Sequence, residues 1–457
     1  MEIFHSRILV MLTDKDEVFC EINNFYTMVT GEEYIFENIY EARDYILSME
    51  SKALQSDSHR STAPICMHPT MFNAPFEEFK KDAFIPTDSL DYPLSAYYNN
   101  ADDCKFIMTK LQSGRYSLKP NLKNRYYLFR GESEFHSPCK PNLFRNPRKK
   151  YFLDSMIYGD EMVRVILSHP LVQLLDLGVK LNGSVYRFEM NLYGLLQHYY
   201  NKSSLLDLTS DIDVALFFAT QKYDWESDKY TPIIDENHEA GILYYYEIDI
   251  NRDFQQQLNG EQLSTIGLQV FPRSGRQKGF LYNLSMDGNF NDLPQLKAFR
   301  FKHNAKIAQE ISEQMNKGDI LFPDDILKAH WRNNTRRIDV VSRDAIMINL
   351  TRNPDETFDS IKAKLKSLYN ISTEDYKPVL TENELHEYFE SIKSKSYWED
   401  FCNQIYIPGD INGKMMDNLI NLPSIPEYEW AFKENIHPKI DYKQGYLLRT
   451  YEHILNR

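Results

Sequence analysis

The chain has 457 residues, of which 42% are hydrophobic, and carries a formal net charge of −14, so we expect two or three domains with cores of their own. The acidic charge argues against a protein that coats nucleic acid through bulk electrostatics, and no apolar run approaches the roughly 18 residues of a membrane span. Five scattered cysteines without a C-x-x-C pair argue against a disulfide framework and a structural metal site, so a cytoplasmic protein is predicted.

The first 110 residues have the pattern of an accessory segment. RILVML at residues 7–12 has the apolar content of a strand, and YEARDYILSMESKAL at residues 40–54 has helical spacing. Residues 56–100 carry Ser, Pro, Asn and Asp around short apolar pieces, which predicts loop-rich connections. The apolar run lacks a cleavage-like end, so no secretory signal is predicted. We therefore expect residues 1–110 to form an α/β accessory segment.

An arginine follows a short aromatic run in YYLFRGES, at residues 126–133. The run is β-favouring and too short for a helix, which predicts a buried strand. Gly131 is expected to end this strand and to turn the backbone away. Arg130 would then lie at the rim of a sheet, where it could hold an anion. The alternative is an arginine that closes an internal ion pair or stacks on an aromatic ring.

Further strands and helices are predicted up to about residue 335. The predicted strands cover residues 242–250, 278–284 and 296–303, and the predicted helices cover residues 187–200, 210–222 and 304–317. Asn304 is a favourable N-cap for the last helix, and Gly318 is expected to stop it in the left-handed conformation.

Beyond residue 340 the apolar residues recur at helical spacing. The two clearest segments are DETFDSIKAKLKSLYN and ENELHEYFESIKSKSYWEDF, which a turn-prone stretch separates. We predict a helical C-terminal module over residues 341–457 that docks a protein partner or covers substrate. Residues 111–340 would form the main domain.

The segment LLDLTSDIDVALFFA contains a polar turn that is the best candidate for the second half of a binding site. Ser210 is predicted to cap the following apolar helix, with Asp213 completing a capping box. Capping alone accounts for Thr209, Ser210 and Asp213, whereas no cap requires Asp207. The amides of the buried helix start, together with Arg130, would bind a phosphate well.

A histidine and a glutamine provide further polar candidates. His198 ends the amphipathic stretch FEMNLYGLLQHYY and titrates near neutrality, which suits proton relay; the alternative is a structural hydrogen bond. RSGRQKGF contains Gln277 as an amide, Arg273 as a cation and Gly279 as a position of close backbone approach. An ordinary turn between strands would also explain this segment.

Taken in order, these pieces resemble the FRG-domain family, which is named for its Phe-Arg-Gly tripeptide and is widespread in bacteria and their mobile elements. The matching pieces are FRG at 129–131, QHY at 197–199, LLD at 205–207, ALFFA at 215–219 and QKGF at 277–280. The resemblance covers about residues 110–335 and implies an α+β domain with a mixed sheet and flanking helices. Family members usually carry Gly-x-Pro-Thr-Arg between the second and third pieces. Residues 200–204 replace it here, and Ser204 stands in place of the arginine.

A weaker resemblance links the chain to ADP-ribosyltransferases of the Arg–Ser–Glu type. It implies an NAD-like ligand whose phosphates Arg130 holds, with Thr209 and Ser210 near the nicotinamide. The late glutamate of that type is not matched, since the late strand offers Gln277, and Glu247 lies in a strand whose register the sequence does not fix. From both resemblances, the residues assigned to phosphate or substrate binding are Arg130, Gly131, Thr209, Ser210 and Arg273, and those assigned to catalysis are His198, Asp207 and Gln277.

Three interpretations follow. The preferred one is an effector that binds a phosphate-bearing, NAD-like nucleotide, with ADP-ribosyltransferase or NAD-glycohydrolase activity as its expected chemistry. The alternative is a non-catalytic module of phage defence or a toxin–antitoxin system, which recognises nucleic acid or a protein partner through the basic cluster of residues 145–150. A second small basic cluster contains Arg332, Arg336 and Arg337. The third interpretation makes Arg130 and Asp207 a buried structural pair.

Overall fold

A computed structural model gives the architecture of the chain. It describes residues 34–56, 106–110, 116–120, 125–146, 152–168, 172, 179–181, 184–186, 190–199, 202–224, 227–235, 238–248, 263–267, 269, 271–325, 327–328, 339–375, 383, 405–406, 440–441 and 446–447. A mixed sheet flanked by helices confirms the predicted α+β class. No helix among these residues is long and apolar enough to cross a membrane.

The strands of the described segments are short. They are β1 (Ile35–Phe36), β2 (Phe106–Lys110), β3 (Tyr116–Pro120), β4 (Tyr127–Glu132), β5 (Val179–Leu181), β6 (Ser184–Tyr186), β7 (Leu205–Thr209), β8 (Gln221–Asp224), β9 (Lys229–Pro232), β10 (Gly241–Glu247), β11 (Leu263–Thr265), β12 (Gly279–Asn283), β13 (Leu296–Phe301), β14 (Val340–Ser342), β15 (Ser372–Glu374), β16 (Ile405–Tyr406), β17 (Ile440–Asp441) and β18 (Tyr446–Leu447). The helices are α1 (Ile39–Ser56), α2 (Leu153–Ser168), α3 (Leu192–His198), α4 (Ile212–Thr220), α5 (Pro272–Arg276), α6 (Ala305–Gln314), α7 (Arg343–Arg352) and α8 (Phe358–Tyr369).

The largest sheet of the described segments has seven strands in the order β1-β13-β10-β4-β7-β12-β11. Its pairs are antiparallel except β1 with β13, which is parallel. β4 pairs with β10 along its whole length, but it meets β7 only at the pair Phe129 and Thr209. The ladder between β4 and β7 therefore stops after one pair, which leaves a gap at the centre of the sheet.

The two faces of this sheet pack against different layers. Side chains alternate along a strand, so Tyr127 and Phe129 of β4 face one way and Leu128 the other. The first two pack with α1, α4 and Ile311 of α6, whereas Leu128 packs with Tyr244 and other residues on the opposite face. The apolar character of α4 on nearly all sides is explained by its position in the first of these clusters.

The predicted end of the Arg130 strand is wrong. β4 continues through Gly131 to Glu132, so Gly131 does not turn the backbone away. Its role is close packing: a Cβ atom at this position would lie 1.9 Å from the carbonyl oxygen of Ala215 in α4. Only a residue without a side chain lets the strand approach the helix so closely.

The predicted N-cap residue is wrong for one helix and confirmed for another. The prediction that Ser210 caps α4 is wrong, because Asp211 is the N-cap and its side chain accepts from the backbone N–H of Asp213 at 3.1 Å. The Asn304 cap of α6 is confirmed, since its side chain accepts from the backbone N–H of Ile307 at 3.1 Å. That helix ends at Gln314, earlier than predicted, and Gly318 follows with a φ of +98°.

The segments on either side of the main sheet also contain defined structure. At the N-terminal side, β1 joins the edge of the main sheet through β13. At the C-terminal side, α8 lies within the first predicted helical segment, and Ile361 and Leu365 of α8 pack with Ile157 of α2. The second predicted helical segment lies outside the described residues, apart from residue 383. The domain boundaries near residues 110 and 340 stay predictions.

Candidate functional site

A cavity of about 360 Å³ opens where β4 and β7 diverge. Its walls come from β4, the end of α3, β7, α4 and β9, so residues far apart in the sequence meet there. The lining residues include Arg130, Gly131, Glu132, His136, Arg145, Gln197, His198, Asp207, Thr209, Phe218, Tyr230 and Gln277. A concave site with a few polar groups and aromatic walls is the usual form of a small-ligand site.

Arg130 is bound to the protein on two sides. Its guanidinium donates two hydrogen bonds to Oε1 of Glu132, at 2.6 and 2.9 Å, and one to the backbone carbonyl of Asp207 at 2.7 Å. The second contact links β4 to β7 where the ladder between them is interrupted. The carboxylate that neutralises Arg130 is thus Glu132, and Asp207 contributes its backbone rather than its side chain.

Glu132 presents one oxygen to Arg130 and leaves the other unused. Its side chain is 8% exposed, and Oε2 is buried without a hydrogen-bond partner in the described part of the chain. The thiol of Cys139 lies 3.8 Å from Oε1. Burial and the charge of Glu132 raise the pKa of this thiol to about 11, so Cys139 is a neutral donor rather than a nucleophile.

The hydrogen bonds of Gln277 determine which ring nitrogen of His198 carries a proton. Its side-chain nitrogen donates to the carbonyl of Leu321 at 3.1 Å, which turns Oε1 toward Nδ1 of His198 at 2.8 Å. Because an amide oxygen can only accept, Nδ1 carries the proton and Nε2 is an acceptor. Burial lowers the pKa of His198, against the opposing effect of Asp207. The ring is therefore neutral at pH 7.

Asp207 is oriented by a chain of side chains. Ser203 donates to the oxygen of Gln197, and the nitrogen of Gln197 donates to Oδ2 of Asp207 at 3.1 Å. Oδ1 is buried without a partner among the described residues, as is Nε2 of His198, and the two atoms lie 3.7 Å apart. Two acceptors this close favour a ligand that brings donors, and because one hydroxyl donates one hydrogen bond, two neighbouring hydroxyls of a ligand would satisfy one acceptor each.

The remaining predicted site residues have structural contacts. The hydroxyl of Thr209 donates to the carbonyl of Gln277 at 2.7 Å and accepts from the backbone N–H of Asp211 at 3.0 Å. Ser210 is buried and does not line the cavity. Gly279 lies against His198, since a Cβ there would be 3.0 Å from the imidazole. This agrees with the predicted close approach.

Arg273 does not reach the cavity. Its side chain is fully buried, with the guanidinium 4.5 Å from the ring of Tyr199 and donating to the carbonyl of His198 at 3.2 Å. It therefore supports the end of α3 from behind. Arg273 does not line the cavity, so its predicted binding role gains no support from this site and stays a prediction.

The family comparison matches the segment that builds most of this cavity. Residues 125–228 match the family model of the FRG domain. The chain contains an FRG domain. No curated protein and no solved structure matches the chain significantly.

The three residues of the FRG motif have three different roles. Phe129 is fully buried beside α4, Arg130 binds the carboxylate of Glu132, and Gly131 permits contact with Ala215. The matched range of the FRG domain also contains His198 and Asp207. Gln277 lies beyond that range but shares the cavity with them.

Sequence reasoning missed several residues of the FRG cavity. Glu132 was detectable, because residues two apart on a strand share a face, and Arg130 and Glu132 are so spaced. The sequence shows Gln197 only as part of the QHY motif and does not predict its hydrogen bond to Asp207. The aromatic wall formed by Phe218 and Tyr230, whose rings lie 5.9 Å apart, gave no signal of its own, since both residues also suit a core.

The predicted basic cluster is described only in part. Arg145 lines the cavity, and its Nε donates to the carbonyl of Lys140 at 3.1 Å. The other cations of that cluster, and Arg332, Arg336 and Arg337, lie outside the described residues. Among the described residues, no group of three His, Cys, Asp or Glu side chains could hold a metal ion.

Proposed function

We propose that the FRG domain binds an NAD-like nucleotide and that a ribose of this ligand occupies the cavity. The observation that carries the proposal is a set of three buried acceptors without partners: Glu132 Oε2, His198 Nε2 and Asp207 Oδ1. Unsatisfied buried acceptors favour a ligand that brings donors, and ribose hydroxyls are such donors. The aromatic wall of Phe218 and Tyr230 suits a planar ring.

The proposed chemistry is cleavage of the bond between ribose and nicotinamide. When the C1′–N bond breaks, nicotinamide leaves with the electron pair and the ribose becomes cationic. The carboxylate of Glu132 would stabilise this cation, as preorganised charge does in related reactions. Water or an acceptor hydroxyl then bonds to C1′, and its proton passes to Nε2 of His198. Glu132 would thus supply the carboxylate that the late strand lacks.

The experiment is incubation of the purified protein with NAD and other nucleotides, followed by mass spectrometry of the products and of the protein. We expect nicotinamide release, with a mass increase of the protein if it modifies itself. In variant protein that circular dichroism shows to be folded, Glu132→Gln should lower the rate about 100-fold or more, since it removes the stabilising charge but keeps an oxygen for Arg130.

The matched control is Glu134→Gln, which removes a nearby carboxylate outside the cavity. It should retain the wild-type rate. Folded wild-type protein that neither binds nor cleaves any nucleotide would contradict the proposal. A Glu132→Gln variant as active as wild type would contradict the assigned chemistry but not the binding.

The alternative, recognition of nucleic acid or a protein partner in phage defence or a toxin–antitoxin system, depends on the basic cluster of residues 145–150. Binding of this kind would weaken steeply with salt, because each phosphate contact releases counterions. Binding of ribose hydroxyls to buried acceptors would depend on salt only weakly. The slope of affinity against salt concentration therefore separates the two.

A further inference from the structure

A second cavity of about 740 Å³ adjoins the first. The two cavities share His136 and Arg145 as lining residues, so these side chains form the boundary between them. The second cavity is also lined by Phe135, Lys140, Phe144, Phe152, Met286 and Asp287. Glu132, His198 and Asp207 do not line this second cavity.

Arg145 is a cation that the protein leaves available at this boundary. One nitrogen, Nε, donates to the carbonyl of Lys140 at 3.1 Å, which orients the guanidinium. Within the described ranges its terminal nitrogens donate no hydrogen bond and form no ion pair, although the carboxylate of Asp287 also lines the second cavity. Lys140 adds a second charge, and its ammonium group bonds only a backbone carbonyl there, that of Met286 at 2.8 Å. Arg130, in contrast, is neutralised by Glu132 at 2.6 Å.

The walls of the second cavity expose large apolar side chains. Phe135 is 38% exposed and Met286 is 51% exposed, and both line the cavity. Phe144 and Phe152 contact each other edge to face, with ring centres 5.5 Å apart. Exposed aromatic groups beside cations are the combination on which nucleotide bases stack.

We infer that the two cavities form one dinucleotide site, in which Arg145 binds the diphosphate and the second cavity holds the adenine half. The inference rests on the proposed function of the first cavity and extends it. A diphosphate lies between the two nucleosides of a dinucleotide, as Arg145 lies between the two cavities. The phosphate contact thus moves from Arg130, whose guanidinium already donates to Glu132 and to the carbonyl of Asp207, to a residue outside the FRG tripeptide.

The test is titration calorimetry of the full-length protein with two ligands. ADP-ribose contains the adenosine half, the diphosphate and the second ribose, whereas nicotinamide riboside contains only the nicotinamide half and no phosphate. Arg145→Gln should raise the Kd for ADP-ribose about tenfold or more, the expected effect of losing a charge-assisted hydrogen bond. Phe135→Ala should also raise that Kd. Neither change should alter the Kd for nicotinamide riboside.

Arg276→Gln is the matched control, since Arg276 is exposed and lines neither cavity; it should bind both ligands as wild type does. If Arg145→Gln and Phe135→Ala bind ADP-ribose normally, the inference is wrong and the proposed function stands. The same conclusion follows if the wild type binds nicotinamide riboside but not ADP-ribose. If the wild-type protein binds neither ligand, that result would contradict the proposed function and, with it, this inference.

Discussion

Arg130 and Glu132 act as one unit, because their charged groups lie 2.6 Å apart and both side chains are largely buried. Removing either partner would leave a buried charge alone, which typically costs about 3–5 kcal/mol. The pair therefore explains the arginine of the FRG motif without a bound anion. Arg130 binds only one oxygen of Glu132, and the other oxygen has no hydrogen-bond partner in the described part of the chain.

The neutral state of His198 predicts a dependence of stability on pH. Burial lowers its pKa in the folded protein, so the unfolded chain binds more protons between the folded pKa and the ordinary value of about 6.5. The stabilisation is fully present above about pH 6.5 and is lost as the pH falls toward the folded pKa. We expect His198→Gln, which cannot titrate, to reduce this acid-side loss when urea unfolding is measured from pH 8 to pH 5.

The comparison between variant and wild type is what isolates His198. Burial also lowers the pKa of His303, so the wild-type profile contains its contribution as well. That contribution cancels in the difference between the two profiles. A difference that stays constant with pH would show that His198 titrates normally in the folded protein.

At the scale of elements, the contact between β4 and α4 sets the shape of the cavity. Gly131→Ala would place a methyl group 1.9 Å from the carbonyl oxygen of Ala215, and backbone atoms on both sides cannot yield without moving the helix. We expect a loss of about 3 kcal/mol in the free energy of unfolding, measured in urea.

Gly288→Ala is the control for this change. Its added Cβ would lie 2.8 Å from Cγ of Leu284, which belongs to a side chain rather than to the backbone of a packed helix. The expected loss is therefore below about 1 kcal/mol. Equal losses of unfolding free energy at the two positions would show that the contact between β4 and α4 tolerates an added methyl group no less well than the Gly288 position does.

The sequence predicted the residues of the site better than their arrangement in space. Arg130, His198, Asp207 and Gln277 were selected as single residues, and the cavity contains all four. Arg273 does not line the cavity, because the short helix α5 carries its side chain behind His198. Local pattern shows that a residue is polar and near a turn, but the side of the sheet it reaches depends on pairings made elsewhere in the chain.

At the scale of the whole molecule, the acidic charge restricts where an anionic ligand can bind. A net charge of −14 repels a dinucleotide at long range, although salt screens this effect within about 8–10 Å. Under the proposed function, local cations would therefore provide the attraction. Arg145 and Lys140 are cations of the described part that line a cavity without a carboxylate partner there.

The N-terminal helix α1 is part of the structure that supports the FRG strand. Glu50 of α1 accepts from the backbone N–H groups of Tyr126 and Tyr127, at 2.7 and 3.0 Å. Ile46 is fully buried in the cluster that contains Phe129. The stability of the cavity is therefore expected to depend on residues well before the segment that matches the family model.

Ile46→Ala tests this dependence. The cavity left by a buried isoleucine costs about 2–5 kcal/mol, whereas Ile320→Ala, at a position 41% exposed, should cost less than about 0.5 kcal/mol. Because α1 and β4 share one cluster, we expect Ile46→Ala to shift a single unfolding transition that includes the FRG domain, observed by circular dichroism and by hydrogen exchange at residues 127–132. If α1 unfolds in a separate, earlier transition while those amides stay protected, residues before 110 form an independent unit, as the predicted boundary near residue 110 implies.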